Sequence, residues 1–377
     1  MFTQTKSLCD AFLSLGIPSL DLVVYHNGQC AFRYMGGYAN PEKKIPISGK
    51  EKYHIYSCSK PITCTAALQL WEKGMFSLED KLSDYIPEFS NMTVQTENGV
   101  RPAKNPILIR NLFEMTSGIF YNLQAPELQA YYASTGYRCP TVETVRQFAQ
   151  LPLAFDPGEG WQYGFSHDIL AALVEILTGQ KFEVYVKEHI FDPLGMENTD
   201  FLHNQDDWEG FANHYCYDKE TNIYTPMWRN PYVPGTEYAS GGAGCVSTVD
   251  DYIKFLEALR KGELLKLETV RMMGADRLTE QQRAMYVYNT ESIGYGLGVR
   301  GIRPGSKRTE FGWDGAAGAF ASVDLENNVT IYFAQHTRSS PVKPYLFSIY
   351  DAVIADIKGE HFPLPEITLC AVKGPLV

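Results

Sequence analysis

A chain of 377 residues, 45% hydrophobic and 20% charged, is long enough for one large domain or two intimate ones and is ordinary for a globular protein. Its net charge of −11, with no basic run to reverse it locally, repels polyanions and so excludes nucleic acid and anionic membrane as partners. No stretch approaches the roughly 20 apolar residues of a membrane span, and residues 1–18 lack the unbroken apolar core of an export signal, so a cytoplasmic protein is expected.

Residues 1–18 read as an amphipathic helix ended by Gly16, Ile17 and Pro18. Residues 20–25 read as a strand, Asn27 and Gly28 as a hairpin turn, and 30–34 as the return strand. Residues 41–52 are polar and loop-like. A helical run at 64–73, stopped by Gly74, follows the segment 56–63. After a short connector at 78–87, helices at 107–115, 142–151, 167–177 and 182–191 make the middle third mostly helical. Residues 202–247 are turn-rich and aromatic, with Trp208, Tyr215, Tyr224, Trp228 and Tyr238. A loop that long is usually functional or disordered, and its aromatic content argues against disorder. Thr248 followed by Asp251 has the form of a capping box, opening a helix that stops at Gly262. Strands at 295–299, 319–325 and 329–334 and a last helix at 343–357 complete the chain. Strands at both ends with helices between predict a discontinuous α/β unit, residues 1–76 with 240–377, and a mostly helical insertion, residues 77–239.

The chemistry concentrates at Ser57 and Lys60. Residues three apart on a helix share a face, with Cβ atoms about 5–6 Å apart. A neutral lysine amine at that distance can take the proton of a serine hydroxyl, which is a poor nucleophile without such a base. Pro61 falls in the first helical turn, where a missing N–H costs little, and a helix N-terminus favours developing negative charge. Cys58, next in sequence, is expected to point away. The Pro157-Gly158 turn would present Tyr163 as a general acid or base, its phenol lowered by a nearby ammonium. The commoner fate of such a tyrosine is packing at the start of a helix. Ser166 either caps the helix that follows or donates into a cleft. Gly312, Gly315 and Gly318 surround Trp313 and Asp314 at a strand start. There they permit close approach of a ligand, with an N–H available as an oxyanion donor, or else mark a bulge. Neither His167 nor His336 is needed, although His336 can border the site. Eight cysteines show no Cys-x-x-Cys and no Cys/His cluster of zinc spacing, so free thiols in a reduced compartment are expected, with no metal and no cofactor.

Residues 56–74 (YSCSKPITCTAALQLWEKG) resemble the nucleophile helix of the serine β-lactamase and penicillin-binding-protein superfamily, and within it the class C-like branch with family VIII carboxylesterases. Segments 109–119, 156–170, 190–201, 241–259 and 311–320 resemble the family's further motifs in the family's order. The resemblance spans about residues 20–335. It implies an α+β fold of the β-lactamase/transpeptidase type, an antiparallel sheet flanked by helices plus an all-helical domain, with the site in the cleft. It implies Ser57 as the acylated nucleophile, Lys60 and Tyr163 as proton-transfer partners, and the backbone N–H groups of Ser57 and Ala316 as the oxyanion hole. Two positions depart from the family pattern. Phe165 stands where an asparagine is usual, with Ser166 next along. Trp313, Asp314 and Gly315 replace the Lys-Thr-Gly that recognises a substrate carboxylate.

These residues predict a serine hydrolase of small esters or amides acting through an acyl-enzyme, with Trp313, Asp314, Gly315, Phe165 and Ser166 around the substrate. Asp314 either favours a cationic or hydroxyl-bearing substrate or caps a turn. The alternatives are a β-lactamase or D-amino-acid peptidase, and a non-catalytic binding or sensor protein on the same fold. The oligomeric state is left open.

Overall fold

The computed structural model describes residues 2–288 and 290–367. Eight strands form one antiparallel sheet in the order Ile293–Tyr295, Arg300–Ile302, Glu310–Asp314, Phe320–Asp324, Val329–Ala334, Ser19–His26, Gln29–Asn40 and Ile45–Pro46. The two ends of the chain therefore meet in one sheet, where Val23 pairs with Tyr332 and Val24 with Ile331. The first hairpin closes through Asn27 and Gly28, both at positive φ, as the Asn-Gly pair requires.

Alternation along these strands sorts side chains to two cores. Leu20, Leu22, Val24, Ile331 and Phe333 pack with Phe12 of the helix Thr3–Ser14 and Val353 of the helix Leu346–Lys358. Val23, Tyr332, Ala334 and Ala321 face the other way, against the helix Val249–Lys261. Both faces are covered, which is why Val329–Ala334 is buried at every position. Each large apolar side chain so buried contributes about 1.5–3 kcal/mol. Thr248 accepts from the Asp251 N–H and caps Val249–Lys261, as expected from sequence.

The middle of the chain carries the helices Ile109–Phe113, Pro126–Ser134, Thr141–Gln147, Ser166–Thr178 and Phe182–Val186. Ser166–Thr178 is buried along most of its length and packs against the helix Ser59–Glu72. Several details differ from the expectations. Residues 295–299 are not a strand: pairing stops at Tyr295 and resumes at Arg300, with Gly298 at positive φ turning the chain between them. The strand Glu310–Asp314 and the helix Pro126–Ser134 carry no clear periodicity and escaped the sequence reading. Two hairpins also stand among the helices, Thr93–Thr96 with Gly99–Pro102 and Tyr215–Asp218 with Ile223–Pro226. The second gives the aromatic stretch its order and pairs in parallel with Thr337–Arg338. The described cysteines are free thiols, and Cys370 lies outside the described residues. No described helix is long and apolar enough to cross a membrane.

Candidate active site

Ser57 sits in a single 3-10 turn, Tyr56–Cys58, that runs directly into the helix Ser59–Glu72. The turn is held from all sides. Tyr56 has φ of 50°, a region that a bulky residue avoids unless its surroundings enforce it. Its ring is buried, and its hydroxyl is hydrogen-bonded to His214 Nε2 at 3.2 Å. Ser59 Oγ donates to the Tyr56 carbonyl and accepts from the Cys245 N–H at 3.0 Å. Cys58 points to the opposite side, its buried thiol against the Trp313 carbonyl.

Lys60 is fully buried, and its Nζ donates to Ser57 Oγ at 3.3 Å, Tyr121 Oη at 3.3 Å and the Gly242 carbonyl at 2.7 Å. Gly242 can come this close only without a side chain: a Cβ there would stand 2.5 Å from Asp168 Oδ2 and 2.9 Å from Tyr121 Oη. No carboxylate lies within ion-pair distance of the Lys60 amine among the described residues, so burial dominates and lowers its pKa from 10.5 to about 7, with Asp168 opposing from further away. Asp168 accepts from Ser240 Oγ at 2.6 Å and Tyr238 Oη at 3.0 Å. Tyr163 is hydrogen-bonded to Ser57, and its oxygen accepts from Trp313 Nε1 at 3.0 Å. The Lys60 amine stands 4.4 Å from the Tyr163 ring centroid. Burial raises the Tyr163 phenol above its ordinary value, opposite to the lowering expected from the sequence. Desolvation outweighs the hydrogen bonds with Ser57 and Trp313, which act to lower it.

These groups open on a cleft of about 400 Å³ lined by Ser57, Tyr163, Tyr232, Trp313, Gly315 and Ala316, with Asp314 at its side. Gly315 passes under the nucleophile turn, where a Cβ would meet the Ile55 carbonyl at 2.5 Å. That close passage brings exposed Ala316 to the same cleft as Ser57.

Three expectations need correction. Phe165 is buried between Phe148, stacked at 4.2 Å, and Tyr121, edge-on at 4.8 Å, and does not line the cleft. Ser166 is fully buried in the first turn of its helix, bonded to Ser117 Oγ at 2.9 Å, and is no cleft donor. Asp314 lines the cleft, but its carboxylate is engaged: Arg300 Nη1 donates to it at 2.7 Å, and Tyr288 also bonds it. Arg300, itself buried, also holds Glu310 at 3.0 Å. The Asp314 charge is thus internally compensated and not free for a cationic substrate. His167 is buried against the Phe113 carbonyl, and His336 accepts from the His54 N–H at 3.1 Å behind the site, outside the cleft.

The sequence reading missed Tyr121, Tyr232, Tyr288 and Lys343. Tyr121 follows the Thr116, Ser117, Gly118 helix stop with no periodic signal, and only folding sets its hydroxyl on Lys60. Tyr232 lay within the aromatic stretch but carried nothing to distinguish it from its neighbours.

A family model described as Beta-lactamase matches residues 6–346. An uncharacterised protein of Mycobacterium tuberculosis is 28% identical over 88% of this chain and 88% of its own length. Esterase EstB of Burkholderia gladioli is 29% identical over 73% of each chain. The solved structure of EstCE1, described as a hydrolase with promiscuous acyltransferase activity, superposes with a TM-score of 0.77 at 23% identity, covering 93% of this chain and 97% of its own. That superposition shows a shared fold of the β-lactamase/transpeptidase type.

Proposed function

Since this chain belongs to the β-lactamase family and is a serine hydrolase of that family, we propose that it cleaves small esters or amides through an acyl-enzyme on Ser57. The observation that carries this is the buried Lys60 amine, 3.3 Å from Ser57 Oγ and titrating near neutrality. In its neutral form Lys60 takes the Ser57 proton as the oxygen attacks the acyl carbon. The carbonyl oxygen becomes an oxyanion, met by the backbone N–H groups of Ser57 and Ala316. Tyr163, kept protonated by burial and oriented by Trp313, carries the proton on to the leaving oxygen or nitrogen. Water then attacks the acyl-enzyme by the reverse path and frees Ser57. Residues 1–76 with 240–377 supply the nucleophile and oxyanion strand in this reading, and 77–239 supplies Tyr163. Trp313 and Gly315 shape the substrate side, and the setting is cytoplasmic.

A second reading differs only in the last step. EstB is named an esterase, and EstCE1 is described as a hydrolase with promiscuous acyltransferase activity; an alcohol in place of water would make this chain an acyltransferase. A β-lactamase or D-amino-acid peptidase is less well served, because Trp313 offers no cation to a substrate carboxylate at the cleft strand.

The test is intact mass after mixing with a p-nitrophenyl acyl ester, for wild type and Ser57→Ala in parallel, with nitrocefin alongside. Nitrophenol release with a transient acyl adduct, both absent in Ser57→Ala and faster than nitrocefin cleavage, is the expected result. Equal behaviour of the two proteins would remove Ser57 as nucleophile. An added alcohol that captures the acyl group faster than water would turn the reading to acyl transfer.

A further inference from the structure

The catalytic cleft is not the largest cavity on its side of the molecule. A cavity of about 760 Å³ adjoins it, and the two share Tyr288, Asp314, Lys343 and Leu346 as a common wall. Its size lies within the range of about 300–1,000 Å³ that holds a drug-sized ligand. The far walls are Leu15, Pro341, Pro344, Tyr345 and Phe347, so most of what a guest would touch is apolar.

The acidic and basic side chains lining this cavity, apart from its tyrosines, are Lys219, Lys343 and Asp314. Asp314 is compensated by Arg300 at 2.7 Å. Neither lysine has a carboxylate within 4 Å among the described residues, and both side chains are exposed. A chain of net charge −11 thus keeps two cations with no carboxylate partner among the described residues around this apolar cavity, next to the proposed nucleophile. From this arrangement we infer that the substrate carries, beyond the scissile bond, a long apolar arm ending in a carboxylate, with the arm in the larger cavity and the carboxylate at Lys219 and Lys343. The apolar walls favour burying the arm, and the two ammonium groups select an anion over a neutral end, attracting it from a distance that shrinks as salt is added. The inference rests on the acyl-enzyme reading at Ser57 and adds to it the class of substrate.

The arm belongs to either the acyl or the alcohol half of the ester, and two pairs of substrates separate these. On the acyl side, p-nitrophenyl octanoate is compared with mono-p-nitrophenyl suberate. On the alcohol side, octyl acetate is compared with the acetate ester of 8-hydroxyoctanoic acid. Every rate is expressed relative to p-nitrophenyl acetate with the same protein. The carboxylate-ended member of one pair is expected to exceed its methyl-ended partner by about tenfold in kcat/KM. In the double variant Lys219→Ala, Lys343→Ala that ratio is expected to fall to about one, and in wild type it is expected to fall as salt is raised. A ratio at or below one in both pairs, with p-nitrophenyl acetate still turned over through a Ser57 adduct, would overturn the arm and leave the acyl-enzyme standing. A ratio indifferent to both salt and the lysine substitutions would overturn it equally. Absence of a Ser57 adduct with p-nitrophenyl acetate would instead overturn the reading beneath it.

Discussion

Two clusters of buried bases flank the nucleophile turn, and the same physical force leaves them in opposite states. On one side Lys60 stands among Ser57, Tyr121 and the Gly242 carbonyl. On the other, His54, His214 and His336 pack with Tyr56 and Phe211, and His214 stacks on His336 at 4.2 Å. Burial is the leading cause of the shift in both, lowering Lys60 from 10.5 to about 7 and His214 from 6.5 to about 3. The two displacements are similar in size. Lysine starts higher, so the same desolvation brings it to neutrality, while it takes histidine out of the working range. A buried histidine here is a neutral packing group. His336 shows as much: its Nε2 accepts from the His54 N–H and its Nδ1 faces the Ala212 carbonyl at 2.9 Å, the pattern of a neutral ring. A buried lysine in the same protein is a base ready to act near pH 7.

The largest test of that contrast is Lys60→His. If burial sets the state of the base, an imidazole there becomes too weak, and kcat/KM for an aryl ester should fall by about 10³ at every pH, within the usual range for a lost general base. Recovery of activity above pH 7 would break the comparison. The wild-type profile should show one rising limb near pH 7, because Lys60 must lose its proton before acylation. Next, Tyr163→Phe should cost about 10² in kcat with little change in KM, since it removes a proton path and not a binding wall.

The histidine side is read through stability. The His214 pKa in the folded protein lies below that of the unfolded chain, so below pH 6.5 the unfolded state binds the extra proton. Its contribution is complete above pH 6.5 and is lost as pH falls toward 3. His214→Gln should therefore flatten the dependence of unfolding free energy on pH between about 6 and 4 by one proton, roughly 1.4 kcal/mol per pH unit. Denaturant titrations across that window measure it, and an unchanged slope would show that His214 is not held neutral. The smallest effect is expected for Trp313→Phe. It deletes the N–H that Tyr163 accepts at 3.0 Å, and a single neutral hydrogen bond of about 1 kcal/mol corresponds to a loss of about fivefold in kcat.

Local chemistry is legible wherever a local rule is strict. The Asn27-Gly28 hairpin, the Thr248 cap and the Gly262 stop of Val249–Lys261 follow from backbone sterics and capping that need no partners. Ser57 and Lys60 are legible because three residues on a helix fix their separation. The helix expected at 343–357 begins as a 3-10 turn and becomes regular only from Leu346 to Lys358, a shift of the size usual at helix ends.

What sequence alone determined is therefore the set of short-range elements, the Ser57-Lys60 pair and, through resemblance, the family and the place of Tyr163. Tertiary structure alone decided which groups are charged and which are reachable. Phe165 and Ser166 sit two and three positions from Tyr163, yet folding buries both, because Ser166–Thr178 is packed on most sides. Asp314 reads as a free acid until Arg300, fourteen residues back on a neighbouring strand, neutralises it. Tyr121 reaches Lys60 across 61 positions of chain. Burial and ion pairing are sums over neighbours distant in sequence, so a sequence states which groups can titrate, and only their packing sets where they do.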